Sequence, residues 1–214
     1  MSLFAILGMP CLTIFLLFAD GKTIPGSMAS SRHEAPDRAA PVLEFIKGFF
    51  YAVPCLAVIL LLRRYVPLSY RSFPLYLLFL LTDHLIPVVF LGVLYFLVYA
   101  RKGYGSLLAF GGGFYSLVGI VNIFTQYGRF EPYHLFLLPV TRMAGLLFLT
   151  IFFLRFQEWY GLVRVLFLIL LISVPFLSGT ITFLYMKSYL LWAIVLTVLF
   201  FLGSLLYTYL ERKW

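Results

Sequence analysis

A chain of 214 residues that is 63% hydrophobic, only 11% charged and has a mean hydropathy of +1.03 carries too little polar surface to keep a compact soluble domain in solution. A net charge of +8 would suggest nucleic acid as the partner of a soluble protein, but here the basic residues stand at the ends of apolar stretches, where they anchor helices and meet anionic headgroups. Composition therefore excludes a soluble globular enzyme and argues against a nucleic-acid binder, leaving a polytopic helical membrane protein.

Seven mostly apolar stretches, about 2–19, 43–62, 74–100, 107–125, 135–155, 165–186 and 189–210, are each long enough to cross about 30 Å of hydrocarbon as a helix. The expected fold is all-α: an integral membrane bundle of about seven transmembrane helices, several kinked by proline, forming a single domain over residues 1–214. The first stretch lacks the basic start of a secretory signal. Leu7-Gly8-Met9-Pro10 also puts Pro where a lipoprotein cleavage site needs a small residue, so a retained helix is expected. Asp20 to Pro41, rich in Ser, Ala, Pro and Gly, reads as an irregular solvated connector, with capping of a pocket or contact with a partner as the alternative. Cys11 and Cys55 lie in separate spans without CxxC spacing and read as small packing residues.

Glu44 and Lys47 open the second span at i and i+3 and are expected to pair or snorkel at the interface. Pro10, Pro54, Pro87, Pro139 and Pro175 each fall inside a span and should remove a backbone hydrogen bond there. Gly111-Gly112-Gly113 in the fourth span lets another helix approach closely, or marks a break that lines a cavity. Nine basic residues (Lys22, Arg32, Arg38, Arg101, Lys102, Arg155, Arg164, Arg212, Lys213) share one face of the membrane and five (Arg63, Arg64, Arg71, Arg129, Lys187) the other. The positive-inside rule then favours an outside N-terminus and a cytoplasmic C-terminus, with Arg63, Arg64 and Arg71 a local contradiction.

The functional candidates are polar residues where the bilayer makes them expensive. Asp83 and His84 lie about ten residues into the third span and Arg142 about eight into the fifth, at similar depth because the two spans run the same way. A charge near the bilayer centre costs roughly 2.5 to 3.5 kcal/mol, so Asp83 and Arg142 are expected to face inward and pair. Such a pair either fixes helix register or forms a substrate, ion or proton site with Arg142 as anion anchor and Asp83 or His84 as cation or proton partner. Asn122 and Gln126 end the fourth span in the same membrane half, joined by Thr82, Thr125 and Thr141, so that half reads as wet. Glu131 and His134 have a ligand-like spacing, but Pro132 stands between them at a helix start, and no metal site or cofactor is expected.

GxSxG, HExxH, Walker and GxGxxG signatures are missing, and the last span has no internal Lys for a retinal Schiff base. The leading expectation is a small-solute or ion binding or transport protein, or the membrane subunit of a transporter, whose pocket uses Asp83, His84, Asn122, Thr141 and Arg142. Its alternatives are a non-catalytic scaffold subunit that docks other membrane subunits, and an intramembrane lipid-modifying enzyme using Asp83 and His84. Expected partners are the lipid bilayer, other membrane subunits and a small solute or ion.

Overall fold

In hydrocarbon every backbone N–H and C=O must be satisfied by the chain itself, and the helix does this locally. The computed structural model describes residues 8–14, 40–65, 73–98, 104–126, 137–158 and 161–213, and among them no strand occurs. We label the helices α1 (Ala40–Tyr65), α2 (Phe73–Leu80), α3 (Ile86–Val98), α4 (Tyr104–Gln126), α5 (Leu138–Glu158), α6 (Leu162–Met186) and α7 (Leu190–Lys213). A single π-helical turn, Leu81–Leu85, joins α2 to α3 without a break.

Among the described residues, five stretches are long and apolar enough to cross a membrane: Pro41–Tyr65, Pro74–Leu97, Tyr104–Asn122, Leu138–Phe156 and Leu190–Glu211. In α6 the apolar stretch among the described residues is shorter, Ile172–Met186. Residues 8–14 are helical, while the rest of the expected first span and residues 20–39 of the connector lie outside the described residues. The same holds for Arg71, Arg129, Glu131 and His134.

The most extensive helix–helix contact joins α1 to α4, which are not consecutive in the chain. Gly48, near the start of α1, lies against the Phe110 carbonyl near the start of α4, and Arg63 meets Thr125 where both helices end, so the pair runs parallel. Glycine makes this approach possible. A Cβ at Gly48 would collide with the Phe110 carbonyl oxygen, and one at Gly113 with that of Phe45, backbone atoms that cannot swing aside. The other two glycines of the triplet serve other neighbours, Gly111 facing Leu146 and the Tyr95 hydroxyl and Gly112 facing Thr13. The triplet is thus a three-way packing point.

Helix α5 occupies the centre, with 78% of its spanning window buried against 22% for α7 at the periphery. It packs on α4, α6 and α7, and an aromatic layer of Tyr95, Phe110 and Phe153 fills the space between α3, α4 and α5. At the end of the bundle where α1 and α4 begin, Lys47 Nζ donates to Glu44 Oε1 at 3.1 Å, the i,i+3 pairing its spacing suggested. Arg155 of α5 and Glu211 of α7 form a second ion pair, each side chain about a quarter exposed.

Candidate functional site

Helices α1 and α4 end, and α2 and α5 begin, on the same side of the bundle, so their polar residues converge from four directions. The 26-residue α1 is about 39 Å long and continues three residues beyond the expected end at residue 62. That extension carries Arg63 into the helix and brings its guanidinium inside. The Arg63 side chain is 9% exposed and the Asp83 side chain 2%. Arg63 therefore turns its head into the bundle instead of standing free at the helix end.

Asp83 reaches the site from the π turn. Pro87 has no N–H to give the Asp83 carbonyl four residues earlier, and its ring crowds that carbonyl, so the regular ladder cannot pass through this point. The chain widens instead, with the Ile86 N–H donating to the Leu81 carbonyl, five residues back. Thr82, Asp83 and His84, all on this turn, are buried. The Thr82 hydroxyl is spent on its own helix, donating to the Leu78 and Phe79 carbonyls at 3.1 Å.

The Arg63 guanidinium is the hub. Its Nη2 donates to Asp83 Oδ1 in a short ion pair and to Asn122 Oδ1 at 2.8 Å, while Nη1 donates to the Thr125 hydroxyl at 2.7 Å. Three elements are thereby tied at one point: α1, the π turn and α4. Two donors within the hub remain without an acceptor, the Arg63 Nε–H and the Asn122 Nδ2 amide, and Asn122 is fully buried.

Arg142 enters from α5 and is 8% exposed. Its Nη1 lies 2.7 Å from where a Cβ on Gly119 would be, so the missing side chain at Gly119 is what admits the guanidinium. Gly119 and Asn122 are i and i+3 on α4. The two arginine heads therefore meet the same face of α4 on consecutive turns, separated by about 4.5 Å of axial rise. Arg142 is also within electrostatic reach of His84 and Tyr115.

The remaining expected site residues turn elsewhere. The His84 Nδ1 is 3.1 Å from the Ser178 hydroxyl of α6, with its ring edge-on to Phe79, and the neighbouring Gly179 makes room for the Leu80 side chain. The Thr141 hydroxyl donates to the Leu137 carbonyl at 2.8 Å and lies 3.3 Å from the Thr197 hydroxyl of α7. Asp83 and Asn122 thus share the hub, with Arg142 one turn along α4, His84 facing α6 and Thr141 facing α7. Sequence reasoning missed Arg63, Gly119 and Ser178. The signal for Arg63 was present as an arginine on the face where the positive-inside rule did not want it.

No metal-binding group of His, Cys, Asp and Glu is found among the described residues. A hollow of about 330 Å³ near the α6–α7 turn, lined by Leu184, Tyr189, Trp192 and Leu196, is apolar and open, and involves none of these polar groups. By length and composition the five long apolar helices define a multi-pass integral membrane protein. Comparison of the chain with protein families, curated proteins and solved structures finds no match.

Proposed function

We propose that this membrane protein binds a small polar solute or ion at the buried hub formed by Arg63, Asp83 and Asn122, with Arg142 and His84 on its margins, as a solute-binding or transport protein or the membrane subunit of a transporter. The observation that carries the reading is the pair of buried donors, Arg63 Nε and Asn122 Nδ2, left without acceptors beside an ion pair. A purely structural pair gains most when every donor is satisfied, because each unpaired buried group costs about 1–3 kcal/mol. A site that receives a ligand keeps such groups in reserve. The π turn that presents Asp83 fits the same reading, since such turns occur frequently at functional sites.

Pro54 inside α1 and Pro175 inside α6 each remove a backbone hydrogen bond, and with the π turn before Pro87 this would ease opening of the hub toward the side where α1 and α4 end. The test is mass spectrometry of small molecules released from protein purified in mild detergent, compared between the wild type and Asp83→Asn. A stoichiometric solute or ion, lost in the variant while the protein remains monodisperse, is the expected result. An empty wild-type protein, together with unchanged cellular function in Asp83→Asn, would leave only the structural role.

A further inference from the structure

The outer surface of α7 is a lipid-facing one. Its spanning window is only 22% buried, and Leu191, Leu199, Leu202 and Leu206 stand outward on it. Lipid tails, as apolar as leucine, are the natural neighbours of such a surface. Where α7 begins, the surface is concave. The hollow of about 330 Å³ lies there, between Leu184 in the last turn of α6 and Tyr189, Trp192 and Leu196 of the α7 arm.

The hollow has a direction. Tyr189, Trp192 and Leu196 stand at i, i+3 and i+7, one face of a helix, and descend about 10 Å from the turn into the hydrocarbon. The Tyr189 N–H donates to the Leu184 carbonyl at 2.9 Å, so lining residues of both helices are tied together across the turn. Tyr189 and Trp192 are 58% and 61% exposed, amphipathic rings of the kind that sit at headgroup level. The turn also carries a charge. Lys187, exposed and lying between Leu184 and Tyr189 in the chain, holds its ammonium 5.7 Å from the Phe183 ring centroid and forms no ion pair among the described residues. Its four-carbon stem is flexible enough to bring that ammonium to the mouth of the hollow.

From this apolar slot with a cation at its headgroup end, we propose that the α6–α7 turn binds an anionic phospholipid. One acyl chain lies along Leu184, Trp192 and Leu196, and the phosphate meets Lys187 beside the Tyr189 ring. The volume is within the roughly 300–1,000 Å³ of small-ligand sites. A polar solute gains nothing from walls without polar groups, whereas a chain gains apolar contact along the whole slot. Charge then selects among lipids. A zwitterionic headgroup carries its own cation next to the phosphate, but the net negative charge of phosphatidylglycerol is left for Lys187 to offset. The site stands apart from the hub, and neither reading depends on the other.

The experiment uses Trp192 as the reporter. The chain has three tryptophans, so Trp159→Phe together with Trp214→Phe leaves Trp192 as the sole indole of the full-length protein. In phosphatidylcholine vesicles, a minor fraction of chain-brominated phosphatidylglycerol is compared with the same fraction of chain-brominated phosphatidylcholine, bromine quenching the indole on contact. The anionic lipid should quench about fivefold more effectively, the preference one lysine confers near an anionic headgroup, and raised ionic strength should shrink the difference. Lys187→Gln should abolish the preference while the protein stays monodisperse, and Lys187→Arg should keep it.

Equal quenching by the two lipids, or a preference that Lys187→Gln retains in full, overturns the proposal. Quenching by neither, with a doubled particle mass, assigns the hollow to a second copy of the chain and overturns it too. Native mass spectrometry supplies an arm that needs no tryptophan variant. The wild-type chain, taken from micelles with equal amounts of both lipids, should retain one phosphatidylglycerol that Lys187→Gln lacks, and identical lipid retention by the two proteins counts against the site.

Discussion

The ion pair at the hub makes a quantitative statement about which arginine Asp83 depends on. Sequence depth alone pairs Asp83 with Arg142, and the structure bonds Asp83 to Arg63, a residue that depth did not single out. Two unit charges about 4 Å apart at an effective dielectric near 20 attract by about 4 kcal/mol. Removing one member of a buried pair costs about 3–5 kcal/mol because its partner stays behind, and with side-chain exposures of 9% and 2% this pair belongs to that class. Asp83→Asn should fall at the lower end, because Asn122 and Thr125 still accept from Arg63. Arg63→Gln should fall at the upper end. The double variant, in which neither charge is left buried alone, should recover about 2–3 kcal/mol relative to the sum of the singles. The assay is reversible unfolding in mixed detergent micelles of the four proteins, repeated with Arg142→Gln in place of Arg63→Gln. A coupling of Asp83 to Arg142 larger than its coupling to Arg63, or strict additivity between Asp83 and Arg63, would refute the geometry argued here.

Three further outcomes follow from the packing. Gly48→Ala and Gly113→Ala each force a methyl into backbone and should destabilise the fold by about 3 kcal/mol, whereas Gly203→Ala, with open space around its Cβ, should be neutral or gain up to about 1 kcal/mol in helix propensity; thermal unfolding separates the two classes. The Arg155–Glu211 pair is about a quarter exposed on each side, so Arg155→Gln should cost no more than about 1 kcal/mol, and the charge swap Arg155→Glu with Glu211→Arg should restore most of it. Cys55 is fully buried, so a maleimide should modify it only after denaturation, as intact-mass measurement before and after unfolding would show.

Much of the architecture could be read directly from hydropathy, because a helix that must satisfy its backbone in lipid needs an uninterrupted apolar run and little else. The same rule of cost marked Asp83, His84, Asn122 and Arg142 as residues worth explaining, since ionisable and amide groups in such runs are rare. Pro87 was visible as an interruption, although a π turn presenting Asp83 was not, because proline removes a hydrogen bond without dictating how the chain accommodates the loss.

Partnership was decided only in three dimensions. Counting residues along a span gives depth but not azimuth, so it could place Asp83 and Arg142 at one level without knowing that Arg63 of α1 would reach Asp83. Gly48 and Gly113 seat α1 on α4, helices separated in the chain by the continuous α2–α3 span, and at the end of this contact Arg63 of α1 bonds Asn122 and Thr125 of α4. Arg63 thereby moves from the rim to the interior. The sequence determined that these charges had to leave the lipid; the glycine-mediated contact of two non-consecutive helices brought Arg63 to Asp83, because close backbone approach depends on surfaces brought together by the fold rather than on spacing along the chain.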